Sequence, residues 1–180
     1  MRVRPDLLTL ISFLTKHFRE PDEDDWGKLK RDLKYLKGTL HLKLVLVIVY
    51  METIHWCFDA SYGTHYDCKG HTGMMMAMGF GALMSISKGH KINVRSSTKA
   101  KLVGIDNALG DILWGKYFLE YQGFKIKHNV VHQYNTSTIL LTTNGTWYKN
   151  TKHIEHNFFL VKDKIEIGIM EIKWTPTEMM

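Results

Sequence analysis

The chain has 180 residues, a formal net charge of +6 at pH 7 and a sequence pI of about 9.2. With 44% hydrophobic and 12% aromatic residues, it is too apolar for a disordered chain and long enough for one domain plus part of another. The positive charge favours acidic partners, with nucleic acid first and an anionic membrane second. An ordinary, mildly basic surface is also compatible with this charge.

Cys57 and Cys68 are the two cysteines of the sequence. They could form one disulfide bridge, but no secretory signal precedes them. We therefore predict a reduced compartment, cytoplasmic or nuclear, rather than secretion. The apolar run Leu40–Tyr50 is too short to span a bilayer, and no membrane partner is predicted.

Two helices are predicted before residue 40. The first covers Leu7–Leu14, where apolar residues recur at helical spacing. The second begins at Pro21, has acidic residues in its first turn, where the helix dipole favours negative charge, and ends at Gly38. Its apolar stripe is predicted to be buried and consists of Trp26, Leu29, Leu33 and Leu36. The run Leu40–Tyr50 is predicted to be a buried strand.

From Ile54 onwards the pattern indicates strands that alternate with helices. Strands are predicted at Ile54–Asp59, Thr72–Phe80, Ala82–Ser87, Val130–Asn135 and Ile169–Trp174. Gly79 and Gly81 place a turn between the second and third of these strands, which predicts a hairpin. Helices are predicted from the cap at Ser96 and Ser97 to about Tyr121, over Thr136–Thr143 and over Thr151–Ile165.

Short motifs in a fixed order resemble a known family. The motifs in the first part of the chain are Arg4-Pro5-Asp6, Trp26-Gly27-Lys28-Leu29-Lys30-Arg31 and Leu33-Lys34-Tyr35-Leu36-Lys37-Gly38-Thr39. Those in the remainder are Asp59-Ala60-Ser61-Tyr62, His71-Thr72-Gly73, Ser96-Ser97-Thr98, Leu113-Trp114, Gln133 to Leu141, Thr151-Lys152-His153-Ile154 and Pro176-Thr177-Glu178. The first set resembles the end of the reverse transcriptase in a copia-type retrotransposon Pol polyprotein, and the second resembles its ribonuclease H region. No single motif is specific, but their order and spacing together are.

The resemblance implies an α/β fold of the ribonuclease H type. In this fold a mixed sheet is flanked by helices, here preceded by a short helical reverse-transcriptase tail. The chain is expected to divide into residues 1–50, the tail, and residues 51–180, the ribonuclease H-like domain. Relative to the family, the second domain is expected to be truncated at its C-terminus, before the position of a fourth metal-binding acid.

The resemblance also places the catalytic positions. Ribonuclease H domains cleave the RNA strand of an RNA–DNA hybrid with two Mg²⁺ ions held by four acids. The first acid matches Asp59. The second belongs in a family segment Ser-Ser-Thr-Glu-Ala-Glu, where this chain has Ser96-Ser97-Thr98-Lys99-Ala100-Lys101, and the third is replaced by Tyr134. With one matching acid, we predict no bound metal, no Mg²⁺ cofactor and no cleavage.

The fold implied by the resemblance arranges Asp59, Lys101 and Tyr134 round one pocket. The ammonium of Lys101 could then pair with Asp59 and neutralise the site. Drift in a sequence that is not selected for cleavage also explains the lysine, and we favour drift, with the ion pair as its by-product.

Nucleic acid, an RNA–DNA hybrid in the family, is the predicted partner. The predicted contacts are Ser97, Asn135, Lys152 and His153, although a solvated basic face explains the last two equally well. Two alternatives to a nuclease stay open, a non-catalytic nucleic-acid-binding module and a relic open reading frame without a role. Cleavage needs acids, binding needs a basic face, and a relic needs neither.

Overall fold

The structure, a computed structural model, describes residues 4–144 and 155–179. Its helices are α1 (Leu8–Leu14), α2 (Glu23–Gly38), α3 (Ser97–Tyr121), α4 (Thr136–Asn144) and α5 (Glu155–Glu166). Its strands are β1 (Val47–Ile48), β2 (Thr53–Ser61), β3 (His71–Ala77), β4 (Gly79–Phe80), β5 (Met84–Gly89), β6 (His128–Gln133) and β7 (Glu171–Trp174). Short 3-10 turns cover Pro5–Leu7, Thr15–His17 and Thr177–Met179.

A mixed sheet with the strand order β5-β3-β2-β6-β7 forms the centre of the fold. Strands β2, β3 and β5 pair antiparallel, whereas β2, β6 and β7 pair parallel. The predicted hairpin is the β3–β5 pair, in which Met76 lies opposite Met84. A mixed sheet flanked by helices is the fold class that the sequence predicted.

The hydrophobic core lies between this sheet and α3. Alternate residues of β2, among them Trp56 and Phe58, are buried against α3 residues such as Ile105, because side chains on a strand alternate between its faces. Asn129 of β6 is a buried polar residue in contact with this core. Asn129 accepts a hydrogen bond from the indole nitrogen of Trp56 at 2.7 Å and donates to the carbonyl oxygen of Ile169 at 3.4 Å.

The long helix α3 begins and ends where the sequence predicted. The hydroxyl of Ser96 accepts a hydrogen bond from the backbone N–H of Lys99 at 3.2 Å, which caps the first turn. Gly123 follows the last turn with a φ of +91°, a conformation that glycine adopts without steric cost. The helix α5 packs against α3 and contributes Val161 to the core.

The helix α1 covers part of the opposite face of the sheet. Thr9 and Ser87 on β5 share a hydroxyl contact of 3.4 Å, and Ser87 pairs with Gly73 of β3. Residues that pair across neighbouring strands point to the same face, so Ser87 and Gly73 share a face. The next residue, Met74, points to the other face and is buried in the core. The N-terminal helix is therefore attached to the face that α3 leaves open.

The helix α2 forms as predicted, but its apolar stripe is not buried. Asp22 and Asp25 make a capping box at its start, so the helix begins at Glu23, two residues after Pro21. Trp26, Leu29 and Leu33 are exposed, Leu36 is half-buried, and Asp25 is the buried residue of this helix. The prediction of a buried stripe was wrong, because helical spacing shows which residues share a face and not whether another element covers that face.

The prediction of a buried strand over Leu40–Tyr50 was also wrong. Within this apolar segment only β1 is a strand, and it pairs with the two residues of β4. Both of its residues are exposed. The segment crosses directly over Gly79 and Gly81, whose positive φ angles and missing side chains let the carbonyl oxygens of Val47 and Val45 approach closely.

The predicted strand Thr72–Phe80 is two strands, β3 and β4, which belong to different sheets. The remaining boundaries differ little from the predicted ones. β6 begins two residues before Val130, and β7 begins two residues after Ile169. The described part of the last predicted helix is α5; residues 151–154 lie outside the described residues. Cys57 and Cys68 are both free thiols. Within residues 4–144 and 155–179, no helix is long and apolar enough to cross a membrane.

Candidate functional site

Asp59 lies near the C-terminal end of β2, on the sheet face opposite α3. It pairs with Gly73 in the neighbouring strand, and its side chain is 57% exposed. Its Oδ1 atom accepts a hydrogen bond from the backbone N–H of Ala60 at 2.6 Å. A cavity of about 520 Å³ opens beside this carboxylate, with Pro5 on its N-terminal side and Tyr134 on the β6 side. The carboxylate is thus accessible from solvent.

Lys101 reaches this carboxylate from the second turn of α3. Its Nζ atom lies 2.5 Å from Asp59 Oδ1 and 2.5 Å from the hydroxyl oxygen of Tyr134. The Tyr134 hydroxyl donates in turn to Asp59 Oδ1 at 3.0 Å. The Lys101 side chain is only 3% exposed, and its Nζ lies 3.9 Å from the centroid of the Tyr134 ring. The predicted proximity of the three side chains is therefore observed.

The backbone around Tyr134 is fixed by two neighbours that the sequence analysis did not single out. The side-chain oxygen of Gln133, which is completely buried, accepts the backbone N–H groups of Tyr134 and Asn135 at 2.9 and 3.1 Å. The indole nitrogen of Trp174 donates to the Tyr134 carbonyl oxygen at 3.1 Å. A glutamine at the end of an apolar strand is the sequence feature that could have indicated this role, which is to hold the backbone that follows the strand.

Proteins of known sequence include relatives that cover nearly the whole chain. The retrovirus-related Pol polyprotein from transposon RE2 of Arabidopsis thaliana is 27% identical over 171 residues, which are 94% of this chain and 12% of that polyprotein. The corresponding polyprotein from transposon TNT 1-94 of Nicotiana tabacum is 25% identical over 175 residues. The resemblance to copia-type Pol polyproteins is confirmed. The chain spans about an eighth of the length of these relatives, and no protein-family model matches it.

Solved structures confirm the fold. LC11-RNase H1, isolated from compost by a metagenomic approach, has a TM-score of 0.53 at 13% identity and covers 71% of this chain and 87% of its own. RNase H1 from the halophilic archaeon Halobacterium salinarum NRC-1 has a TM-score of 0.50 at 12% identity, with 71% and 88% coverage. LC11-RNase H1 has also been solved in complex with an RNA/DNA hybrid. The chain has a ribonuclease H-like fold.

The residues at Asp59 do not fit the Mg²⁺ ions that this fold implies. Mg²⁺ prefers an octahedral set of oxygen ligands, and two such ions need several carboxylates around them. Here one carboxylate is in contact with an ammonium group, and the third side chain is a neutral phenol. Among the described residues, no group of three or more His, Cys, Asp or Glu side chains is arranged to hold a metal ion.

The four residues predicted to contact nucleic acid have different positions. Ser97 is exposed in the first turn of α3. The side chain of Asn135 accepts the backbone N–H of Thr138 at 2.9 Å and so caps α4. Lys152 and His153 lie outside the described residues. Of the two described residues in this set, Ser97 is therefore the one with an exposed side chain.

A basic surface next to Ser97 was missed. Lys88 lies near the end of β5, and Lys91 and Arg95 lie on the connection between β5 and α3; all three are exposed. Lys88 pairs with Thr72, and Thr72 pairs with Ala60, the neighbour of Asp59. Since neighbouring strands are about 4.8 Å apart, this row places the Lys88 backbone roughly 10 Å from that of Ala60. Three basic residues within eight positions are the sequence pattern that could have indicated this surface.

Three buried histidines form the histidine cluster, His65, His71 and His90, near the start of β3. His65 and His71 face α1, whereas the His90 ring contacts the Thr72 hydroxyl at 2.7 Å. The rings of His65 and His71 share a hydrogen bond of 2.9 Å, and His71 also contacts the Ser87 hydroxyl at 2.7 Å. The ring of Phe13 on α1 lies 4.4 Å from the His65 ring and 5.0 Å from the His71 ring. The cluster is thus part of the contact between α1 and the sheet.

The environment of the cluster favours neutral imidazoles. Burial, helped by the nearby His65, Lys16 and His90, lowers the pKa of His71 from its ordinary 6.5 to about 4. Burial also lowers the pKa of His65, where Lys16 acts in the same direction and Asp67 opposes it. Burial likewise lowers the pKa of His90. No local sequence pattern indicated this cluster, because His65 lies in a loop, His71 begins β3 and His90 follows β5.

Proposed function

We propose that this chain is a retrotransposon-derived ribonuclease H-like domain that binds nucleic-acid duplexes without cleaving them. The proposal combines the fold with the chemistry at Asp59. The relatives are Pol polyproteins, and a ribonuclease H1 of the same fold has been solved with an RNA/DNA hybrid. This supports a hybrid as the ancestral substrate and a duplex as the present ligand.

The observation that carries the absence of cleavage is the contact between Lys101 and Asp59. A hydrolytic site of this type concentrates negative charge to hold divalent cations. Here the ammonium cancels the charge of the carboxylate at a separation of 2.5 Å. The Tyr134 hydroxyl occupies a further position on the same carboxylate oxygen. None of these groups replaces the missing acids, so we derive no hydrolytic step for this chain.

A nuclease assay tests this part of the proposal. The purified chain is incubated with a labelled RNA–DNA hybrid and either Mg²⁺ or Mn²⁺, beside the Asp59→Asn variant. We expect no cleavage above the level of the buffer. Cleavage that the Asp59→Asn substitution abolishes would contradict the proposal, whereas cleavage that persists in the variant identifies a contaminating nuclease.

Binding is proposed to be electrostatic and weakly selective. The exposed cations Lys88, Lys91 and Arg95, together with the net charge of +6, suit contacts to phosphates, which carry no sequence information. Each neutralised phosphate contributes a slope of about −0.9 to the log–log dependence of affinity on salt. Titrations of hybrid, duplex RNA and duplex DNA at two salt concentrations should give similar affinities that fall steeply with salt. A lack of binding at low salt favours a relic without a role, the second candidate.

The division of the chain at residue 50 is part of the same proposal. We infer that residues 1–50 derive from the tail of a reverse transcriptase and that residues 51–180 form the ribonuclease H-like domain. The change in burial supports this division, since the apolar side chains of α2 and β1 are largely exposed whereas those of β2 are buried. The proposed metal-free site uses Asp59, Lys101 and Tyr134 from the second part.

A further inference from the structure

The Lys101 ammonium has the surroundings that a bound cation would have. It is almost completely buried and contacts a carboxylate oxygen, a phenol oxygen and the face of an aromatic ring. A buried charge is tolerated in a protein only when such partners replace water. The three side chains come from β2, from α3 and from the residue that follows β6, so the ammonium connects three parts of the fold.

The charges of this arrangement balance without an ion from solution. Asp59 contributes one negative charge and Lys101 one positive charge, and the Tyr134 hydroxyl is a neutral donor to the carboxylate. A divalent cation at Asp59 would lie against the ammonium and be repelled by it. At Oδ1 it would also meet the Tyr134 hydroxyl, which already donates a hydrogen bond to that atom.

We propose that Lys101 is a covalently attached replacement for a divalent cation, and that Lys101 and Tyr134 together keep divalent cations from Asp59. The inference rests on the proposed function, since both use these three side chains, but it concerns ion binding and not cleavage. It follows that the double substitution Lys101→Glu with Tyr134→Asp creates a site for Mg²⁺ or Mn²⁺. That change replaces a set of one acid, one ammonium group and one phenol by three acids. It also removes the Tyr134 ring, which lies against the Lys101 ammonium.

Binding of Mn²⁺, measured without nucleic acid by the electron paramagnetic resonance signal of the free ion, tests this directly. We expect the wild-type chain to leave Mn²⁺ free and the double variant to bind it at least about tenfold more tightly. A third substitution, Asp59→Asn, should abolish that gain. Lys101→Met is the matched control, because it removes the ammonium without adding a ligand.

Two outcomes would overturn the inference. One is Mn²⁺ binding by the wild-type chain that Asp59→Asn abolishes. The other is a folded double variant that binds Mn²⁺ no better than the wild type. A wild-type chain that does not cleave but binds Mn²⁺ at Asp59 contradicts this inference alone. A chain that cleaves a hybrid but binds no free Mn²⁺ contradicts the proposed function alone.

A second measurement covers the case in which the double variant does not fold. Lys101→Ala leaves Asp59 without its cation and opens a space of the shape of an alkylammonium ion. Propylammonium chloride should raise the Tm of this variant more than tetramethylammonium chloride does at the same concentration. In the wild type the two salts should change the Tm equally. Equal effects of the two salts on Lys101→Ala would show that Lys101 acts through packing alone, and the inference would be lost.

Discussion

The N-terminal region, residues 4–51, and the core formed by the sheet and α3 differ in how far their apolar side chains are buried. Trp26 and Trp56 show this difference. Trp26, on α2, is 54% exposed, whereas Trp56, on β2, is fully buried. Both lie in segments with a regular apolar pattern. The same sequence signal thus has different structural outcomes, because burial requires a second apolar surface at the right place. We therefore expect the core to contribute most of the free energy of folding.

The largest effect should come from truncating these two tryptophans. Trp56→Ala removes a fully buried ring and its hydrogen bond to Asn129, and should lower the free energy of unfolding by about 3–5 kcal/mol. Trp26→Ala should change it by about 1 kcal/mol or less, because the ring is already half in water. Urea unfolding followed by far-UV circular dichroism measures both.

If Trp56→Ala does not fold, Trp56→Phe retains most of the apolar volume and removes the indole donor. It should still destabilise by about 1–3 kcal/mol, since the Asn129 oxygen loses its partner in the core. Equal losses for Trp26→Ala and Trp56→Ala would show that the N-terminal region contributes as much stability as the core.

The next largest effect concerns the contact between the two regions and depends on pH. The pKa of His71 is lowered from 6.5 to about 4 by burial, so the folded state favours the neutral ring. This stabilisation is complete above pH 6.5 and is lost as the pH falls towards 4, by on the order of 3 kcal/mol. We expect α1 to separate from the sheet over this range, as measured by hydrogen exchange of the α1 amides.

His71→Gln serves as the variant for this measurement, because glutamine can hydrogen-bond but does not titrate here. It should reduce the loss of stability between pH 6.5 and 4. His41→Gln, which changes an exposed histidine of the N-terminal region, is the matched control and should leave the pH profile as it is. A wild-type stability that does not vary over this range would contradict the prediction.

A smaller effect is expected from two glycines of α3. A Cβ atom on Gly104 would lie 2.5 Å from the Phe58 ring and 2.8 Å from the Thr72 hydroxyl, whereas one on Gly110 would meet nothing within 4 Å. Gly104→Ala should cost about 1–3 kcal/mol through overpacking. Gly110→Ala should instead stabilise by about 1 kcal/mol through helix propensity. Thermal unfolding separates the two, and a stabilising Gly104→Ala would mean that α3 is not in close contact with β2.

The smallest effect is expected in the apolar segment Leu40–Tyr50. Ile48→Thr replaces one β-branched residue by another at a side chain that is 51% exposed, so stability should change by less than about 0.5 kcal/mol. The same substitution at the fully buried Ile54 should cost considerably more, because a hydroxyl would enter the core. Paired urea titrations of the two variants measure the difference. Similar losses at both positions would show that the segment is covered in solution.

Most of the core could be predicted from local pattern. The alternation in β2, the cap at Ser96 and Gly123 after α3 each act within a few residues of their effect. The hairpin of β3 and β5 also follows from nearby glycines. These signals fix where an element begins and ends and which face is apolar. They do not determine whether that face meets a partner, which is why α2 and the segment Leu40–Tyr50 were predicted wrongly.

The candidate site depends on contacts that no local pattern encodes. Asp59 and Lys101 are 42 residues apart in the sequence, and their proximity was predicted through the family resemblance and not through spacing. The histidine cluster was not predicted at all, because its members meet only in the folded chain, where His65 and His71 contact Phe13 of α1. Gln133 was overlooked for a related reason, since its role depends on the turn that follows β6.

The hydrogen bonds of Asn129 have a consequence for how the chain reaches its native strand alignment. Strands β2 and β6 are parallel neighbours, so no tight turn sets their relative position. Trp56 and Asn129 meet only when Ile54 lies beside Asn129. A slip of one residue would send the Asn129 amide to the other face and leave the Trp56 indole without an acceptor. A single buried amide thus discriminates against misaligned pairings, and Asn129→Leu should fold with a larger population of shifted strands.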